Sequence, residues 1–215
     1  MKISTRNITC AAMLSAIAYL LMIISKVIPQ VSGFLQFDVK DVVIVIGSFV
    51  MGPLYSLIIT GVVTFLEFLT VSHTGVIGLL MNFVSTAAFC ATAGLVYRNR
   101  KTLPGAVAGL LLGTVVLTVL MILWNYYITP IYMKIPREVV ASMLPTVFLP
   151  FNLIKGFINS GLTLLIYKPV VDGLRRCGLI AKNPTAQPSR RMSPAVVIGI
   201  ILLLLFVPAL ISMIV

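Results

Sequence analysis

The stretch Phe148-Leu149-Pro150-Phe151-Asn152-Leu153-Ile154-Lys155-Gly156-Phe157-Ile158-Asn159 decides how the chain is read. It opens an apolar run that continues to about Tyr167. Asn152, Lys155 and Asn159 stand at i, i+3 and i+7, so a helix puts all three on one face. A lysine inside an apolar span is costly and usually faces a cavity or a partner rather than lipid. The plainer reading is that Lys155 snorkels to the headgroups while the asparagines tie helices together. An intramembrane charge favours a functional site, and the rest of the chain must say what Lys155 faces.

Of the 215 residues, 60% are hydrophobic and only 10% charged, and mean hydropathy is +1.12. Soluble domains carry about 25% charged residues. The composition therefore predicts an integral membrane protein with no stretch left over for a soluble catalytic domain. A net charge of +11 would suggest nucleic acid only if the basic residues formed one patch. They are scattered between apolar runs, so topology explains them better. Cys10, Cys90 and Cys177 are odd in number and far apart, with no disulfide framework or metal-ligand spacing. His73 stands alone.

Apolar runs fall at about 8–28, 41–51, 54–70, 76–97, 105–128, 147–168 and 194–215. Five of them reach the ~20 residues that a span needs. The 41–51 run is short, and Gly52-Pro53 follows it, which predicts two short or tilted helices meeting at a tight turn. The first run is longer than a signal-peptide core and lacks a cleavage site, so it reads as a retained helix. With the N-terminus inside, the cytoplasmic segments hold Lys2, Arg6, Arg98, Arg100, Lys101, Lys168, Arg175, Arg176, Lys182, Arg190 and Arg191. The outer segments hold Lys26, Lys40, Lys134 and Arg137. The excess of basic residues inside fixes that orientation. The organisation expected is a membrane domain over 1–180, a basic, proline-bearing linker over 181–194 and a C-terminal helix over 195–215 that looks like an appended anchor.

In this orientation the embedded polar groups converge on the outer half. Asn82 lies in the outer third of its helix, Asn125 near an outer end, and Asn152 near the mouth of the sixth run. Lys155 sits about 12 Å into that run, at ~1.5 Å per residue. Glu67 and the 28–41 loop, with Asp38, Lys40 and Asp41, are placed outside as well. A channel would need polar groups along its whole length; this pattern predicts a pocket open outward and closed below. Trp124, Tyr126, Tyr127 and Tyr132, with Phe34 and Phe37, gather at the same level. An interfacial aromatic belt and a pocket wall both produce that spacing. Gly105, Gly109 and Gly113 form a small ridge suited to internal packing, and Ala12 and Ala16 form another that could meet a second subunit.

The chain contains no G-x-x-x-x-G-K-[ST], H-E-x-x-H or G-x-S-x-G, and only five acidic residues. It cannot use ATP through a P-loop of its own. The residues that remain resemble a family. Phe34-Leu35-Gln36-Phe37-Asp38-Val39-Lys40-Asp41 with Ile46-Gly47 and Gly52-Pro53, then Asn125-Tyr126-Tyr127-Ile128-Thr129-Pro130-Ile131-Tyr132, then Pro150-Phe151-Asn152-Leu153-Ile154-Lys155-Gly156, are similar to the RibU family. These are the riboflavin-specific S components of energy-coupling factor (ECF) transporters. The resemblance spans roughly residues 5–175. It implies an all-α bundle of six helices, to which the run at 194–215 would be an addition. It implies an outward-facing site in which Asn125, Asn152 and Lys155 bond the polar edges or ribityl chain of riboflavin. Leu35, Phe37 and aromatics such as Tyr126 would cover the dimethylbenzene end, with Asp38, Lys40, Asn82 and Asn159 completing the candidate set. It also implies that Ala12 and Ala16 meet a transmembrane T component, that two ATPase subunits supply energy, and that the protein resides in a bacterial plasma membrane. No cofactor or metal is expected; riboflavin is cargo. Val39-Lys40 departs from the loop motif. The competing readings are an S component for another vitamin and a membrane enzyme acting on a lipid head group. On the snorkelling alternative Lys155→Met would leave ligand affinity alone; on the pocket reading it would weaken binding and spare folding.

Overall fold

The computed structural model describes residues 5–32, 35–71, 74–176, 178 and 194–214. Phe34, His73, Cys177 and residues 181–193 of the expected linker lie outside the described residues, and Pro194, expected to end the linker, opens the last helix. Backbone polar groups in lipid must be paired internally, so the apolar runs fold as helices. They are α1 (Thr5–Ser25), α2 (Lys40–Met51), α3 (Pro53–Thr70), α4 (Gly75–Asn99), α5 (Leu103–Met133), α6 (Arg137–Met143), α7 (Leu149–Arg176) and α8 (Pro194–Ile214). One π-helical turn, Leu144–Phe148, leads into α7. Among the described residues, α1, α3, α4, α5, the stretch from α6 into α7, and α8 are each long and apolar enough to cross a membrane. The protein is a multi-pass all-α membrane protein: α1 to α5 and α7 make the bundle, and α8 is added to it.

α2 holds the bundle together from within. α1, α3, α4 and α7 pack around it, and every residue from Lys40 to Phe49 is buried. Twelve residues rise only about 18 Å, so α2 begins well below the outer rim. It turns into α3 at Gly52, whose φ of 102° suits glycine alone, and Pro53 opens α3 with a fixed helical φ. Counting from this shared turn, Lys40 stands roughly 18 Å up and Glu67 roughly 22 Å up. The two side chains therefore meet at similar depth. The loop that precedes α2 has to descend into the bundle to reach it. Asp38, Lys40 and Asp41 are consequently buried, at 4%, 0% and 0% exposure. This corrects the expectation that they lie in an external loop.

The glycine ridge of α5 packs inward on α4. A Cβ on Gly109 would stand 2.7 Å from the Ala93 carbonyl, and one on Gly113 would stand 2.8 Å from the Phe89 carbonyl. α8 is seated on α7 in the same manner: a Cβ on Gly199 would meet the Gly161 carbonyl at 2.7 Å, and Phe206 stacks on Phe157 at 4.4 Å. It is a packed element, more than a loose anchor. Two helices run past prolines where the sequence predicts an end. α5 continues through Pro130 to Met133, and α7 continues through Pro169 to Arg176. Membrane bundles tolerate such prolines because neighbouring groups re-satisfy the freed carbonyl. At the end of the bundle where α2 turns into α3, Phe49 lies 4.3 Å from Tyr97 and 6.1 Å from Tyr167. The two tyrosine hydroxyls approach to 3.2 Å. Aromatic packing fills this end.

Candidate functional site

A cavity of about 600 Å³ opens at the opposite end, within the roughly 300–1,000 Å³ usual for small-molecule sites. Its walls are the C-terminal ends of α3 and α5, the N-terminal ends of α4 and α7, and the segment between α1 and α2. All of these fall on the side that the charge distribution assigns to the exterior. Asn152 and Lys155 border it from one face of α7, as their spacing predicts, and Asn125 borders it from α5. Leu35 of the loop and Asn82 of α4 border it too.

Other candidates stand elsewhere. Phe37 is 3% exposed and belongs to an apolar cluster with Phe148, Phe151 and Ile154 that fastens the loop to α7. Tyr126 lies outside the cavity wall, edge-on to Tyr127 and beneath the Arg137 guanidinium at 5.5 Å. Helical geometry explains the split among the aromatics. Trp124, Ile128 and Tyr132 recur every four residues beside Asn125, Thr129 and Met133, and all six line the cavity. Tyr126 is turned away from that face. Asp38, Lys40 and Asn159 sit behind the wall rather than on it.

Those three belong to a buried ionic cluster beneath the cavity. Lys155 Nζ lies 3.4 Å from Asp38 Oδ2 and 3.7 Å from Asp41 Oδ2. Lys40 Nζ bonds Glu67 Oε2 at 2.9 Å and approaches Asp38 Oδ2 at 3.4 Å. Lys26 closes the group from the turn after α1, at 2.9 Å from Glu67 Oε1. Thr86 donates to Asp41 Oδ1 at 2.7 Å. Asn159 donates to the Asp38 carbonyl at 3.4 Å and to Asp41 Oδ2 at 3.5 Å. Three ammoniums thus offset three carboxylates. Burying one unpaired charge costs several kcal/mol, so pairing is what permits the cluster at all.

The loop is anchored from the other side as well. Gln36 Nε2 donates to the Ser25 and Ile28 carbonyls at 3.1 and 3.0 Å, and Ser25 Oγ accepts from the Val39 amide at 3.2 Å. Val31 and Leu35 exchange both backbone hydrogen bonds, at 2.9 and 3.0 Å.

Sequence reasoning did not place Lys26, Gln30, Gln36, Ser85 or Thr129 at the cavity, and all five line it. Periodicity could have found Ser85, which stands three residues after Asn82, and Thr129, which stands four after Asn125. The loop residues carry no such signal. Ala12 and Ala16 are exposed, while Ala11, Leu14, Ser15 and Ala18 form the buried face of α1.

A helical membrane bundle with a polar-floored cavity open at one end defines a protein that captures a small molecule. The chain belongs to the family of ECF transporter substrate-specific components, whose model matches residues 6–167. It is 32% identical to the riboflavin transporter RibU of Staphylococcus aureus over 80% of this chain and 93% of that protein. It is 28% identical to the riboflavin transporter FmnP of Bacillus subtilis, over 79% of this chain and 96% of that protein. The solved S component of a bacterial ECF transporter superposes with a TM-score of 0.67 at 29% identity, covering 79% of this chain and 98% of its own. α8 lies beyond the residues that the family model matches.

Proposed function

We propose that the protein captures riboflavin at the outer face of a bacterial plasma membrane and hands it to an ECF-type importer. In that assembly a transmembrane T component and two ATPase subunits would supply the energy. The observation that carries this reading is the convergence of Asn125, Asn152 and Lys155 on a cavity walled by Trp124, Tyr132 and Leu35. The chemistry suits a flavin. An isoalloxazine edge alternates acceptors and donors, and a side-chain amide offers both. The ribityl hydroxyls can accept from an ammonium, and the aromatic and aliphatic walls suit the fused rings. The names of two relatives matched over four-fifths of this chain support the same ligand. On this reading the protein supplies binding rather than a reaction, and riboflavin is cargo rather than cofactor.

The test is direct. Purified protein should show flavin absorbance in the visible blue and release riboflavin on denaturation. Riboflavin added to flavin-free protein should bind with measurable heat and lose fluorescence. Protein that releases no flavin and gives no binding heat, while another vitamin does bind, would overturn the assignment.

A further inference from the structure

Asn125 and Thr129 stand one turn apart on α5, both buried and both at the cavity. A backbone carbonyl only accepts, so the Asn125 side-chain atom 2.7 Å from the Met121 carbonyl must be its nitrogen. The amide oxygen then faces the Thr129 hydroxyl, which donates to it at 2.8 Å. This is a departure from local habit. The buried hydroxyls of Ser15, Thr60, Thr114, Thr118, Ser160 and Thr163 each donate to the carbonyl four residues back. Thr129 sends its hydroxyl to the side chain four residues back instead. Asn152 gives the contrast. Its nitrogen donates to the Phe148 carbonyl at 2.7 Å, but the residue one turn on is Gly156, with no side chain to hold the oxygen.

We infer that Thr129 is a positioning residue for ligand recognition, pinning the Asn125 amide in one orientation at the cavity. An amide has two N–H donors and two oxygen lone pairs. One donor is committed to Met121 and one lone pair to Thr129, which leaves one N–H and one lone pair for a ligand. The complementary ligand edge is a carbonyl next to a ring N–H, as in an imide. The inference rests on the riboflavin reading, because the isoalloxazine pyrimidine ring carries such an edge. Thr129 contributes by pre-organisation: without its hydroxyl the amide must be ordered when ligand binds.

Riboflavin and 3-methylriboflavin, whose imide N–H is blocked, are titrated calorimetrically into the parent, Thr129→Val, Thr129→Ser, Asn125→Ala and the Asn125→Ala/Thr129→Val double variant. Thr129→Val should weaken riboflavin binding roughly 3- to 10-fold, the value of one ordinary hydrogen bond. Thr129→Ser should bind like the parent. The double variant should bind no more weakly than Asn125→Ala, since Thr129 acts through Asn125. The preference for riboflavin over its 3-methyl analogue should shrink in Thr129→Val. Additive losses, or a serine variant as weak as the valine one, overturn the positioning role while leaving riboflavin binding intact. A parent that binds both flavins equally overturns it without any variant. A parent that binds neither overturns the functional reading itself.

Discussion

With 7% of its side chain exposed and two carboxylates within 3.7 Å, Lys155 is shared between the cavity and the ionic cluster. A substitution there acts on both. Lys155→Met should weaken riboflavin binding about 10- to 150-fold, the value of a charge-assisted hydrogen bond. It also takes the α7 ammonium from Asp38 and Asp41, leaving Asp38 with Lys40 and Asp41 with Thr86 and Asn159, and removing one member of a buried pair costs up to about 3–5 kcal/mol. The expectation from sequence that this variant spares folding therefore changes: its melting temperature should fall along with its affinity. The Asp38→Asn/Lys155→Met double variant removes one charge of each sign. It should recover much of the thermal stability without recovering affinity. Thermal unfolding in detergent beside riboflavin titration separates the two effects. A double variant no more stable than Lys155→Met would rule out the pairing as the cause.

Between helices, close approach is set by what glycine lacks. Gly109 leaves no room for a Cβ against the Ala93 carbonyl, so Gly109→Leu forces α4 and α5 apart. Overpacking of this kind should cost about 1–3 kcal/mol. Gly173 of α7 has open space around its Cβ position, and Gly173→Ala should instead stabilise by roughly 0.4–1 kcal/mol. A Gly109→Leu protein melting with the parent would sink the close-packing argument. The ridge was visible in the sequence because three glycines repeat every four residues, and most helices were visible because lipid demands long apolar runs. Two features were not. The extension of α5 through Pro130 depends on neighbours that re-satisfy its backbone, which a local rule for proline cannot see. The placement of Asp38, Lys40 and Asp41 depends on where α2 begins in depth, and hydropathy measures length without depth. The candidate site divides in the same way. Asn152 and Lys155 were legible because helical spacing puts them on one face, and Asn125 because it stands near the outer end of its helix. Gln36 reaches the cavity because the loop descends and Lys26 because it stands one residue past α1, and nothing in their spacing encodes either.

Across the whole molecule, one side of α1 is left over. Ala12 and Ala16 are exposed there, whereas the opposite face of α1 packs on α2 and α3. Neither alanine touches the cavity wall. Ala12→Trp and Ala16→Trp should therefore leave riboflavin affinity unchanged and abolish riboflavin uptake, because a bulky side chain prevents close helix approach to a partner. Uptake measured in cells carrying the energising subunits, beside calorimetry on the purified variants, checks this. Transport surviving both changes would remove α1 from the proposed interface. A different property of the assembly follows from the burial of α2 on all sides. From Val42 to Ile46 it is apolar in every direction, so the hydrophobic effect gains equally from any rotation about its axis. Lys40 and Asp41 break that degeneracy. Turned by one residue, about 100°, they would lose Glu67 and Lys155 as partners. Buried polar groups are best attested as devices that fix register. The ions under the cavity act as the key on a shaft, selecting one angular setting of the central helix and, through Asp41 and Lys155, one setting of α7 against it.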